Sequence, residues 1–234
     1  MCYCMQGKII ILGILFLCFS EATGISSYSY VEDNFEINHV SNYVDENGIM
    51  HVFGEVKNLG NRSMTNVTVS SIFFDSDGKV VNEFRRSSEL RTINSGSISP
   101  FEILFLDREN VDRVKNLKFY ANGTETGTQP LGLRTRIDSS RLDLLGFYYI
   151  NGVIFNSGSL TAHNSIAIAT LYDSDGRVVA IGRGLAEPTS INSKTDATFG
   201  LAVIDKPQTQ KAKNYSILAD SDEYVSMPIM ANVR

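Results

Sequence analysis

Tryptophan is absent from the 234 residues, and the three cysteines, Cys2, Cys4 and Cys18, all sit at one end. Beyond residue 18 there is neither a thiol nor a disulfide, so the stability of that part must come from packing. The Cys…Trp…Cys core of antibody domains is excluded for the same reason. Charge of one sign is also missing. The chain carries 21 Lys and Arg against 26 Asp and Glu, a formal net of −5 with no basic stripe, which excludes phosphate tracking and with it a nucleic-acid partner. Polybasic clusters of the kind that mark a lipid surface are lacking too. The histidines, His39, His51 and His163, are scattered, with no His-x-x-x-His pair and no Gly-x-Ser-x-Gly near them. No catalytic residue, cofactor or metal is therefore expected, and the chain reads as non-enzymatic.

Long apolar runs are equally scarce. The one that stands out, Ile9 to Phe19, follows Lys8 and precedes Ser20-Glu-Ala22. A charged start, a short apolar stretch and small residues at the end form the order of a secretory signal, with cleavage expected near Ala22. The run is too short for a spanning helix, which needs about 20 apolar residues. The protein is accordingly expected outside the cytoplasm, secreted or held at the envelope, with membrane contact only through this segment if it is retained.

What the chain does contain is itself, twice. Gly54-Glu-Val-Lys-Asn58 returns as Gly152-Val-Ile-Phe-Asn156, and Phe74-Asp-Ser-Asp-Gly78 as Tyr172-Asp-Ser-Asp-Gly176, both at an offset of 152 − 54 = 98. The offset holds without a gap from there to Pro130 and Pro228. A period of roughly 100 residues is domain-sized, well beyond solenoid or propeller units. The expected organisation is a signal at 1–22, a first copy at 23–130, a connector at 131–141 and a second copy at 142–234. The connector is expected to permit some motion between copies.

Within each copy, short apolar runs rich in Val, Ile, Phe and Tyr alternate with Asn, Asp and Gly clusters, the pattern of strands and turns. The predicted strands of the first copy are Phe35 to Val44, Met50 to Val56, Val67 to Phe74, Val80-Val81, Ile98 to Phe105 and Leu117 to Tyr120. Those of the second are Phe147 to Phe155, Ser165 to Tyr172, Val178 to Ile181, Ala197 to Val203 and Tyr215 to Leu218. No helical stripe appears, beyond a single turn expected around Asn110 to Val114. The fold class is all-β, and six or seven antiparallel strands per copy most economically form two tandem immunoglobulin-like β-sandwiches.

The run of Gly-x-Val/Ile-x-Asn, an alternating strand, an aromatic and Asp, then Gly-x-Val-Val resembles the FxLYD domain, a prokaryotic extracytoplasmic Ig-like module. The namesake segment reads Ile72-Phe-Phe-Asp75 in the first copy and Thr170-Leu-Tyr-Asp173 in the second. The likeness covers about residues 35–125 and 140–222. Where members often carry Pro-Gly, this chain has Asn94-Ser-Gly96 and Asn192-Ser-Lys194. The resemblance implies an envelope or surface protein and brings no catalytic residue.

Two sets of residues remain as candidates. Asp75, Asp77 and Gly78, with Asp173, Asp175 and Gly176, are read as hairpin turns, because Asp can bond its own backbone two residues on and Gly supplies the left-handed conformation. They lack the third acidic ligand and distal Glu of a calcium loop. Asn61, Asn66, Asn122 and Asn214 head Asn-x-Ser/Thr sequons and are candidate glycan acceptors in an exported chain. Asn66 recurs as Asn164 without its sequon, which favours a turn role. The Arg85, Arg86 and Arg91 cluster and the Arg134, Arg136 and Arg141 cluster are read as solvated. The expected function is a surface or envelope interaction module whose partner is a protein or a glycan, or a second copy. The loops from Asn58 to Asn66 and from Asn156 to Asn164 are the expected equivalent surfaces. The alternatives are an accessory or sensor subunit of an envelope enzyme or transporter, and a structural glycoprotein of the cell coat.

Overall fold

The computed structural model describes the backbone of residues 30–32 and all of 34–233, so the expected signal at 1–22 lies outside the described residues. The first copy contributes β1 (Tyr30–Glu32), β2 (Phe35–Val44), β3 (Met50–Asn58), β4 (Ser63–Phe74), β5 (Val80–Ser87), β6 (Thr92–Ile93), β7 (Ile98–Phe105) and β8 (Asn116–Thr126). Its strands form two sheets, ordered β1-β2-β3-β7 and β5-β4-β8, with β6 beside the start of β4. Alternate residues face inward, as a half-buried strand requires. Val52, Val56, Phe101 and Ile103 from one sheet thus meet Val69, Phe73 and Phe119 from the other in a single core. The Phe73 and Phe105 rings lie 4.7 Å apart at its centre. The expected helical turn is a 3₁₀ segment at Arg108–Arg113, opened by Asp107.

The second copy contributes β9 (Leu131–Leu142), β10 (Tyr148–Asn156), β11 (Ile166–Tyr172), β12 (Val178–Glu187), β13 (Asp196–Val203), β14 (Asn214–Asp220), β15 (Val225–Ser226) and β16 (Ile229–Asn232). Its ladders repeat those of the first copy at the same offset. Met50 pairs Phe105 as Tyr148 pairs Val203, and Ser70 pairs Tyr120 as Ile168 pairs Leu218. The edges join differently. The order β11-β12-β13-β10-β9-β15-β14 is closed by β11 against β14, so this copy is a seven-stranded ring with β16 added on β14. Closure comes from a short β12–β13 ladder and from the parallel pairing of β15 with β9.

Residues 131–141 are not a connector. They are the body of β9, the first strand of the second copy, which pairs Leu133 with Asn156 and Leu142 with Tyr148, just as β2 pairs Phe35 with Asn58 and Val44 with Met50. The sequence disguised this strand because its outward positions are Arg134, Arg136 and Arg141, leaving Leu133 as its deeply buried anchor. The link between copies shrinks to Gly127 to Pro130, and it is pinned. The buried Gln129 donates through Nε2 to Asp220 Oδ1 (3.1 Å) and to the Ser221 carbonyl (2.7 Å), while its backbone bonds Asn94 on both sides.

The two copies pack directly on each other. β3 is buried on both faces, whereas the equivalent β10 is open on one. The outward Phe53 and Glu55 of β3 are covered by Tyr172 and Val178, and Ile168, Leu218 and Val225 join the first copy's core cluster. Correspondingly β12 starts with three buried residues, Val178, Val179 and Ala180, where β5 is largely exposed.

Candidate functional site

The repeated turns behave as read. Asp75 Oδ1 accepts from the Asp77 and Lys79 amides, and Asp173 Oδ1 from those of Asp175 and Arg177. Gly78 and Gly176 close the turns at φ 75° and 77°. Asp45 and Asp143 make the same turn one hairpin earlier, a third and fourth use of the device. The amides, led by that of Lys79, hold the Asp75 carboxyl below its usual range. Among the described residues no group of three or more His, Cys, Asp and Glu side chains is placed to hold a metal.

Of the sequons, Asn61, Asn66 and Asn122 are exposed, while Asn214 is half-buried in β14 between β11 and β16. Asn66 and Asn164 share a left-handed backbone, φ 53° and 52°, which Asn tolerates better than most residues. The loops Asn58 to Asn66 and Asn156 to Asn164 are not equivalent surfaces. The second is held by the β14–β15 turn, with His163 on Glu223 and Asn164 on Asp222, and the Asn164 carbonyl accepts from Arg91 of the first copy. Arg85 and Arg86 are exposed, as are Arg134, Arg136 and Arg141, but Arg91 is committed to Asp220 at 2.9 Å and Asp222 at 3.2 Å.

The Gly-x-Val/Ile-x-Asn motif is structural. A Cβ on Gly54 would stand 2.6 Å from the Phe101 ring, and one on Gly152 would stand 2.8 Å from Phe199 and 2.2 Å from the Arg136 carbonyl. Asn58 is fully buried and donates to the carbonyls of Arg62 (2.7 Å) and Ile93 (2.9 Å) while accepting from the Gly60 amide (2.9 Å). Asn156 repeats this with Leu160, Ile191 and Gly158.

The polar groups that the motif does not explain gather where the copies meet. Tyr172, at the end of β11, donates to Glu55 Oε1 (2.7 Å), and His39 Nδ1 lies 2.5 Å from Glu55 Oε2. Around them Tyr43 donates to Asp205, Ser41 donates to the Val178 carbonyl, and Arg183 forks onto the buried Glu89. None of the first three recurs in the other copy: His39, Glu55 and Tyr172 align with Ile137, Val153 and Phe74. Burial, reinforced by the Glu55 charge, pushes the Tyr172 hydroxyl up, so at neutral pH it remains a donor.

This triad lines a cleft of about 510 Å³ between the copies. Leu90, Ile98 and Pro100 of the first copy form one wall, Leu218, Val225 and Met230 of the second the other. Glu55 is 5% exposed at its polar end. Volume, apolar walls, one polar end and a position between domains are the attributes of ligand pockets.

A second cluster flanks the junction. His51 is half-buried: its ring stacks on Tyr43 at 4.8 Å, Nδ1 meets Glu102 at 2.8 Å and Nε2 lies 3.6 Å from Asp45. Burial alone would lower its pKa, but the Glu102 hydrogen bond and the charges of Glu102, Asp205 and Asp45 outweigh it and hold the imidazole above 6.5. Burial likewise raises the carboxyls of Glu89, Asp205 and Asp220, against the pull of Arg183, Tyr43 and Arg91 respectively. A raised folded-state pKa gives stability that is complete below the unfolded value and is lost as pH rises through the folded one. The unfolding midpoint should therefore climb as pH falls toward 6.5 through the range where His51 takes up its proton in the folded state. His51→Gln should flatten the part of that climb near 6.5, measured by thermal unfolding across the range.

No known protein family matches the chain, and no curated protein does. Among solved structures it is similar to the Amycolatopsis orientalis exo-chitosanase CsxA, with 11% identity and a TM-score of 0.33 over 83% of this chain and 26% of that one. Red sea bream transglutaminase gives 10% identity and a TM-score of 0.26 over 84% of this chain and 31% of that one. A β-glucuronidase from glycoside hydrolase family 2 gives 11% and 0.26 over 79% and 24%. The chain thus spans about a quarter to a third of the length of the structures it matches.

Proposed function

We propose that the chain is an exported, non-enzymatic binding module of the cell surface or envelope. In this reading two copies of one Ig-like domain of FxLYD type, the second closed into a ring, are docked into one unit, and binding takes place in the cleft between them. The observation that carries it is the composite polar end. Glu55 and His39 come from the first copy and Tyr172 from the second, at the back of an apolar cleft that a single copy would lack. A duplicated domain used as two independent binders would leave its copies loosely joined. Here the Gln129, Arg91 and Arg183 contacts fix one relative arrangement. Exposed Asn61, Asn66 and Asn122 leave three sequons accessible away from that cleft.

The test is purification of the full-length protein from its native envelope fraction under non-denaturing conditions, with mass spectrometry of co-purifying molecules and of the mature N-terminus. Met230→Trp is the control, because Met230 is 60% exposed at the cleft and a larger ring there fills space without entering a core. A molecule retained by the wild type and lost from Met230→Trp, on a chain starting near Thr23, is the expected outcome. Equal retention by both proteins overturns the reading, and a start at Met1 would make the N-terminal segment a retained anchor in place of a cleaved signal.

A further inference from the structure

The cleft specifies the charge of what it holds. Among the described residues that line it, the ionisable side chains are Glu55, His39 and Tyr172, with no lysine or arginine. Glu55 has a side-chain exposure of 7%, yet only two hydrogen-bond partners, one per carboxylate oxygen. Each oxygen of an ionised carboxylate can accept at two positions, so the two bonds leave accepting capacity on the Glu55 head. The hydroxyls of Thr170 and Ser216 line the same end and add further acceptors. Leu131, Met227 and Met230, which are 62%, 65% and 60% exposed, also line the cleft, Met230 directly across the ladder from Ser216. Three large apolar side chains left in water along one cleft mark a surface that something apolar covers.

On the reading that the cleft is the binding site, we propose that its ligand is a cationic amphiphile. A primary ammonium head sits on Glu55, and a single apolar tail lies against the lining residues Leu90, Leu218, Leu131, Met227 and Met230. An ammonium brings three donors to a place that offers acceptors. It also meets a buried carboxylate with the opposite charge, where the low-dielectric surroundings strengthen the attraction. A fatty-acid carboxylate would face Glu55 with like charge in the same surroundings. An alkanol would fill the apolar walls equally well but bring one donor and no charge to Glu55.

The probes are decylamine, decanol and decanoate, each titrated below its aggregation limit into the full-length protein and into Glu55→Gln and Met230→Trp. Glu55→Gln is isosteric and keeps an acceptor for Tyr172. Calorimetry reads affinity, and thermal unfolding confirms that each variant is folded. Decylamine should bind the wild type more tightly than decanol, with no binding of decanoate. Glu55→Gln should weaken decylamine roughly tenfold to a hundredfold, the effect of a charged hydrogen bond, while leaving decanol unchanged. Met230→Trp should weaken both. Decanol or decanoate binding as well as decylamine, with Glu55→Gln silent and Met230→Trp disruptive, overturns the head-group assignment and leaves the cleft reading standing. Absence of binding by all three, or indifference of bound decylamine to Met230→Trp, overturns both. Should Glu55→Gln fail to fold, the ranking of the three probes on the wild type decides alone.

Discussion

Replacing Asn156 with alanine should lower the unfolding free energy by about 3 kcal/mol, and replacing Asn58 should do the same. Each side chain makes three hydrogen bonds from a fully buried position, two as donor to carbonyls and one as acceptor from an amide. A bond of this kind contributes about 1 kcal/mol, and its buried partners lose more when left unpaired. Each asparagine also ties three separate pieces of chain: its own strand, the loop that follows, and the strand end near Ile93 or Ile191. Chemical denaturation of the two variants should give similar losses, and a loss under 1 kcal/mol at either site would contradict a structural role for the motif. Asn→Asp at the same positions should recover little, because it restores the acceptor and neither donor.

Truncating Tyr172 to alanine should cost about 3–5 kcal/mol, the range for removing a large aromatic from a packed site. Tyr172 is 9% exposed, packs with Phe53 and Val178, and supplies one of the two hydrogen bonds to a buried glutamate. Tyr172→Phe should cost only about 1–3 kcal/mol, the effect of leaving Glu55 with one donor fewer. The damage should also appear in cooperativity. The wild type is expected to unfold in a single transition, because the first copy's core cluster continues into Ile168, Leu218 and Val225. Tyr172→Ala should split it into two, visible as separate calorimetric peaks. A wild type that already melts in two steps would show that the contacts between copies carry little of the stability.

Much of this architecture was legible because its determinants are local and occur twice. Phe35 to Val44 and Ile98 to Phe105 were bounded as the structure has them, since alternation and turn chemistry act within a few residues. The Asp-x-x-Gly turns were equally plain. What was hidden depended on partners far along the chain. β9 reads as a polar connector because three arginines occupy its outward positions, and only its pairing to β10 makes it a strand. Ring closure likewise rests on a two-residue strand, β15, which carries no periodicity of its own.

The cleft was missed for a different reason. His39, Glu55 and Tyr172 belong to the contact between unlike faces of the two copies, so neither repeat marks them. One signal did survive in the sequence. The start of β12 reads Val-Val-Ala-Ile where β5 reads Val-Val-Asn-Glu, whereas β3 gives no such sign, since its outward positions are His51, Phe53 and Glu55 against Tyr149, Val153 and Phe155 in β10. A strand that is apolar on both sides in one copy and not in the other is covered on both sides in one copy and not in the other.

The doubly covered β3 sets an order of events during synthesis. A chain emerges N-terminus first, so the strands of the first copy can pair as soon as Phe105 and then Thr126 are out, but the outer side of β3 waits for Tyr172 and Val178. At roughly 5–20 residues per second, that wait is on the order of ten seconds. Throughout it, the nascent chain displays a surface that the finished protein never shows. The residues on that surface are suited to the delay. His39, Ser41, His51 and Glu55 break up the apolar stretch around Tyr43 and Phe53, so a passing strand or a neighbouring nascent chain finds charge where it would need a continuous greasy face. His39, Ser41 and Glu55, which later meet Tyr172 and Val178, thus protect the half-made molecule from associating with the wrong partner.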